Sequence, residues 1–162
     1  MYNSTSIGAV GEAAAIYNFT RRNIPILKPF SDNSRYDFVV DIFGKLLKIQ
    51  CKTTICTRDK KSFMQFQLCS TNGFTAEHYT YTEDDIDFYF LYCIENGYCG
   101  LVNISEVIGL KSVNLRLLVP RNNQSNKVRF AKDYNFDLMV NRLFLQYGQF
   151  PFVTQYTQCN IV

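Results

Sequence analysis

Asp37, Gln50 and Lys52 are the residues whose types and spacing point most directly to chemistry. Side chains alternate between the two faces of a β-strand, so Lys48, Gln50 and Lys52 share one face of a strand over 45–55, and Leu47, Ile49 and Cys51 share the other. If Phe43 and Gly44 form a two-residue turn, Ile42 faces Lys45, and counting back puts Asp37 opposite Gln50. A three-residue loop would shift that register by one. An acid, an amide and an amine gathered this way suit phosphodiester hydrolysis, in which a divalent cation polarises the phosphoryl oxygen and acidifies the attacking water. Asp37 offers a charged oxygen and Gln50 a neutral one, the hard donors that Mg²⁺ prefers. Lys52 can orient water or stabilise charge on phosphorus. Glu12, on a preceding helix, can bring a second carboxylate. The candidate catalytic set is therefore Glu12, Asp37, Gln50 and Lys52. The candidate metal ligands are Asp37, Gln50, Glu12 and Cys51, for Mg²⁺ with Mn²⁺ as a substitute.

The elements that must hold these residues can be read from pattern. Apolar spacing and Ala13–Ala15 predict a helix over 8–22, and Pro25 and Pro29 then mark an extended or turning connection. The β-rich stretches 36–42 and 45–55 form a hairpin. A further strand is expected at 62–69. Residues 86–94 are almost continuously apolar, as in a strand buried on both faces, and 98–104 follow as its hairpin partner after Glu95-Asn96-Gly97. Ser105 is a candidate cap for a short helix through Gly109. Residues 113–119 and 127–131 are expected to form another ribbon, and 135–147 a C-terminal helix. This order predicts an α/β (α+β) sandwich around a central mixed sheet.

Length and composition agree with a single domain over 1–162. The chain is 47% hydrophobic and 15% aromatic, enough for a sizeable core and too apolar for global disorder. No run of 18 apolar residues appears, so no membrane helix is expected, and the N-terminus lacks the pattern of a secretory signal. The six cysteines, without a Cys-x-x-Cys pair, read as reduced thiols of an intracellular, cytoplasmic protein, and a structural zinc is not expected. His78 reads as a surface residue, Asp41 as a surface acid near the turn with Asp32 a rival carboxylate, and Glu83-Asp84-Asp85 with Asp87 as a solvated turn before the core strand.

The pattern of Glu12, Tyr36-Asp37 and Gln50-Cys51-Lys52 resembles the PD-(D/E)XK nuclease superfamily, in which a helix acid precedes a strand Asp and a (D/E)-x-K strand. It is most similar to the bacterial branch of homing endonucleases encoded by group I introns. Ile7-Gly8-Ala9-Val10-Gly11-Glu12-Ala13-Ala14, the stretch 81–90 and Val128-Arg129-Phe130-Ala131-Lys132-Asp133-Tyr134 carry the likeness from about residue 7 to 134. Tyr36 stands where the motif has Pro, and Gln50 where Asp or Glu is usual. The resemblance implies that Gln is what the homing branch carries there. It also implies a restriction-endonuclease-like core and metal-dependent, sequence-specific cutting of double-stranded DNA. A resolvase of Holliday junctions and a non-cleaving DNA-binding module on the same fold are the alternatives.

A nuclease must hold the phosphate backbone with Lys and Arg, and a formal net charge of +3 permits this partner without requiring it. Arg58, Lys60 and Lys61 follow the candidate active strand. Arg116, Arg121, Asn122, Asn123, Gln124, Lys127, Arg129 and Lys132 cluster later, and Arg, Asn and Gln are the side chains that read base edges in the major groove. Cutting both strands requires two sites, so a symmetric dimer or tetramer is expected, with 135–162 as a possible interface.

Overall fold

The β-hairpin that carries the candidate site forms with the two-residue turn. β2 (Phe38–Ile42) pairs antiparallel with β3 (Lys45–Thr54), from Ile42↔Lys45 to Phe38↔Ile49. Phe43 and Gly44 both take positive φ, 54° and 85°, as the hairpin turn that follows strand twist requires. Phe43 is held in that unusual conformation by its ring, 5.4 Å from that of Phe144, and Asp41 Oδ1 accepts from Gly44 N at 2.7 Å. Asp41 is therefore a turn residue, apart from the chemistry.

The structure, a computed structural model, describes residues 3–31, 34–55, 62–71, 78–118 and 128–148. The remaining elements are α1 (Ser4–Thr20), β1 (Ile26–Leu27), β4 (Phe63–Gln67), β5 (Ser70–Thr71), β6 (His78–Tyr79), β7 (Phe88–Cys93), β8 (Tyr98–Asn103), β9 (Ser112–Arg116), β10 (Arg129–Phe130) and α2 (Phe136–Tyr147). A mixed sheet of order β1-β2-β3-β7-β8 is central, with β3 and β7 parallel and the other neighbours antiparallel. A smaller sheet of order β10-β9-β4 lies against it.

The continuous apolar run of β7 now has its reason. Phe88 and Phe90 point into a core shared with Ala15 and Phe19 of α1 and Phe136 and Val140 of α2. Tyr89, Leu91 and Cys93 point into a second core with Met64, Phe66, Val113 and Leu115 of the small sheet. Completely burying a side chain such as Phe90 contributes about 1.5–3 kcal/mol, so a strand filled on both faces anchors both layers.

Three boundaries differ from the sequence expectation. α1 begins earlier, because Asn3 caps it by accepting from Ser6 N at 2.7 Å. The short helix after β8 is a single 3₁₀ turn, Ile104–Glu106, and its cap is Asn103, which accepts from Ser105 N at 2.9 Å. The ribbon expected from 113–119 and 127–131 does not form as a hairpin. β9 pairs along its length antiparallel with β4, and β10 adds to its other edge in parallel. Parallel neighbours need a long connection rather than a tight turn. Asp85, in the acidic run, accepts from Thr82 N at 2.9 Å, and Asp87 accepts from Lys48 N at 2.7 Å, so both are structural turn acids.

Candidate active site

The site lies where β2 parts from β3. Asp37 N still donates to Ile49 O at 2.9 Å, the last main-chain bond between them. One step on, Cys51 N donates to the side chain of Asp37 instead, with Oδ2 at 2.6 Å. Gln50 Nε2 donates to the same oxygen at 3.0 Å. Asp37 thus continues the ladder with a carboxylate, and Gln50 stands beside it on the same face, as the hairpin register demands.

Alternation of the backbone adds a third donor. Lys48 and Thr54 turn their carbonyls to the β7 side, where Asp87 N and Ile94 N bond them at 2.9 and 3.0 Å. Cys51, at an odd position, turns its N–H and its carbonyl to the side β2 has left, and Gln50 Nε2 lies 3.4 Å from that carbonyl. The thiol of Cys51 is a different matter. It packs against the helix-side core, and burial, with Asp37 nearby, pushes it well above the usual range of a thiol. Cys51 can serve a hard cation through its main-chain oxygen and not through sulfur.

Glu12 arrives from α1. It lines a cleft of about 180 Å³ with Asp37, Tyr36, Ser31, Ser34, Pro29 and Lys28. Helix and strand approach closely because Gly11 is next to it. A Cβ on Gly11 would collide with Oγ1 of Thr53 on β3. Glycine in a helix interior costs roughly 1 kcal/mol relative to alanine, and here it secures the approach that brings Glu12 to the cleft. Lys28 Nζ pairs with Glu12 Oε2 at 3.1 Å. Both side chains are substantially exposed, so this ion pair is readily exchanged for another partner.

Electrostatics follow from burial. Asp37 is held above the usual carboxylate range, first by desolvation; the Cys51 N–H pulls it back and Glu12 pushes it up. Lys52 is held below the usual ammonium range by desolvation, against the pull of Asp37. Its Nζ donates to Cys69 O at 3.1 Å and lies 4.8 Å from the centre of the Tyr81 ring.

Among the described residues no cluster of three or more His, Cys, Asp and Glu side chains is assembled. Asp37 and Glu12 bring two carboxylates to the cleft, and the Gln50 amide and the Cys51 main chain lie beside Asp37. These groups lie at the end of the hairpin, one residue before Lys52. The sequence model of the PD-(D/E)XK endonucleases matches residues 2–137. The chain belongs to that family.

Among solved structures, this PD-(D/E)XK endonuclease is similar to a bacterial homing endonuclease, I-Ssp6803I, with a TM-score of 0.67 and 24% identity over 91% of this chain and 96% of that one. At that identity the likeness establishes the shared fold. No curated protein matches the chain. Among the described residues no helix is long and apolar enough to cross a membrane.

The nuclease's expected DNA contacts divide into three groups. Arg58, Lys60, Lys61, Arg121, Asn122, Asn123, Gln124 and Lys127 lie outside the described residues. Arg116 and Lys132 come together around a cavity of about 330 Å³ with Tyr98, Leu117, Phe130 and Asn135. Arg129 donates to Glu106 O at 2.7 Å, so part of its hydrogen-bonding capacity holds the fold. Two residues at the candidate site escaped sequence reasoning. Lys28 carried no signal beyond its place between Pro25 and Pro29, and Tyr81 is one of eleven tyrosines.

Proposed function

We propose that this endonuclease hydrolyses phosphodiester bonds in double-stranded DNA at a specific sequence, as a homing enzyme, using Mg²⁺ with Mn²⁺ as a substitute. The observation that carries the reading is the junction at the end of β2, where the Asp37 carboxylate, the Gln50 amide and the Cys51 carbonyl converge beside Lys52. The name of the structural neighbour supports the homing assignment, and the family supports DNA as substrate.

The donor chemistry fits a hard divalent cation. Asp37, the Cys51 carbonyl and the Gln50 amide oxygen would hold it, with Glu12 available once it releases Lys28. Gln50 now presents Nε2 to Asp37, and a half-turn of the amide presents the oxygen instead. A bound Mg²⁺ supplies Lewis acidity toward the phosphoryl oxygen and lowers the pKa of water. The protein's own part is positional and electrostatic. Asp37 and Glu12 set negative charge on one wall of the cleft. Lys52 brings a positive group to the charge that develops on phosphorus as one P–O bond forms and another breaks. Two such sites are needed for a double-strand cut, so a symmetric oligomer is part of the proposal. Leu138 and Leu145 are exposed on α2, within the segment 135–162 offered for that interface.

The test is cleavage of a randomised linear duplex library and of a four-way junction, each with Mg²⁺, Mn²⁺, Ca²⁺ or EDTA. Metal-dependent cutting at one recurring linear sequence is expected. Asp37→Asn and Lys52→Ala should abolish it while DNA binding persists. Indifferent cutting of junctions, DNA binding without any metal-dependent product, or full activity of either variant would overturn the proposal.

A further inference from the structure

Lys52 sits on a long, flexible side chain, yet its ammonium must be fixed if it is to act on one phosphate. Its single hydrogen-bond acceptor among the described residues is the Cys69 carbonyl, at 3.1 Å. One bond leaves a lysine free to swing. What limits it further is the aromatic wall beside it. Tyr81 is 6% exposed, and its ring centre lies 4.8 Å from Lys52 Nζ. That ring is itself immobilised. It stands edge-on to Tyr89 with centroids 5.8 Å apart, and Arg35 lies 5.0 Å from its centre. Arg35 is tied in turn to Thr80 O and Asp85. Tyr89 also fixes the other anchor, because its hydroxyl donates to the carbonyl of Leu68, next to Cys69, at 3.2 Å.

We infer that Tyr81 is the positioning residue of the nuclease site: its π face seats the Lys52 ammonium, and the Tyr81–Tyr89 pair builds that seat as a unit. The electron-rich face attracts a cation most strongly where water is excluded, as at this buried ring. Lys52 is held in one place before substrate binds, so ordering it does not add to the barrier of the chemical step. Binding of the DNA backbone is left to other residues. The inference rests on Lys52 belonging to the nuclease site proposed above.

The experiment keeps a planar six-membered ring and reverses the charge of its face. Tyr81→Phe is the reference, and Tyr81→pentafluorophenylalanine, whose ring face is no longer electron-rich, is the test. Single-turnover cleavage with Mg²⁺ is followed together with DNA affinity. The fluorinated variant should cleave about 10-fold more slowly than the Phe variant, corresponding to loss of a desolvated cation–π contact. Its DNA affinity should match that of the Phe variant, a split that mere loss of packing would not give. Equal cleavage rates in the two variants would overturn the inference. Tyr81→Leu provides a second reading: melting near the Phe variant with a cleavage loss like that of the fluorinated ring supports it, and cleavage at the Phe variant's rate overturns it. The two proposals fail separately. If Lys52→Ala cleaves normally, the site assignment falls; if Lys52→Ala is inactive but the two ring variants cleave alike, only the role of Tyr81 falls.

Discussion

Gly11→Ala should damage catalysis far more than stability. The added methyl meets Thr53 Oγ1 in a collision, with Thr53 Cβ and Cγ2 at 3.1 and 3.5 Å, and the β-branched threonine has few other rotamers open to it. Thr53 is locked in β3 by pairing with Tyr92 of β7. Relief comes from a shift of the helix or a strained threonine rotamer. Overpacking of this kind costs about 1–3 kcal/mol. Replacing a mid-helix glycine with alanine returns about 1 kcal/mol of helix propensity. The net loss is about 1 kcal/mol, which lowers the melting temperature by about 2–4 °C in a chain of this size. Glu12, the next residue, moves with the helix. A displacement of about 1 Å at a catalytic group costs about 100-fold in rate. Thermal melts and single-turnover cleavage on the same preparation separate the two effects. Thr53→Ala, added to Gly11→Ala, removes Oγ1 and Cγ2 and should recover at least about 10-fold of the rate, with Thr53→Ala alone as the reference. Wild-type cleavage by Gly11→Ala, or a loss that Thr53→Ala does not relieve, would refute the claim that this glycine sets the approach of Glu12.

Other outcomes follow from the same geometry. Asp37 has a raised carboxyl pKa because it is buried, so the fold favours its neutral form; this contribution is fullest below the ordinary carboxylate pKa and is lost as pH rises through the folded value. At neutral pH, Asp37→Asn should therefore raise the melting temperature of the metal-free protein, and an unchanged or lower one would contradict the burial argument. For the same reason metal affinity should weaken as pH falls toward the acid range, with proton release on binding visible by calorimetry in buffers of different ionisation enthalpy. Gln50→Glu puts a second carboxylate where an amide now donates to Asp37 at 3.0 Å; it should tighten Mg²⁺ binding about 10-fold by titration while lowering metal-free stability at neutral pH. Lys28→Ala frees Glu12 of its counter-charge and should also tighten metal binding, by a few-fold in an exposed pair, and weaker binding would show that Lys28 assists the cation.

The parts of this site that depend on local rules were legible in the sequence. Alternation along 45–54 and a two-residue turn at Phe43-Gly44 place Asp37 beside Gln50, and the structure keeps that register to Phe38↔Ile49. The apolar run of β7 announces a strand covered on both faces because each face meets its own core. What escaped the sequence depends on distant pairing. Nothing near Ser112–Arg116 states that β4 will be its antiparallel partner, so β10 was expected as a hairpin strand rather than a parallel edge. Tyr81, in the segment that leads into β7, reaches Lys52 by packing on Tyr89, and no periodicity distinguishes it from the other tyrosines. Cys51 is a candidate ligand from its spacing, but that its main chain and not its sulfur lies beside Asp37 follows only from which edge of β3 is left open.

The carboxylate of Asp37 divides its labour between its two oxygens. Both hydrogen bonds that close the hairpin, from Gln50 Nε2 and Cys51 N, end on Oδ2. Oδ1 is therefore the atom that can turn to a cation without unfastening the strand end. An asparagine that keeps its oxygen on the Cys51 amide would present nitrogen in that direction, a donor where an acceptor is needed. Scaffold and reactivity can then be separated by exchanging a single atom.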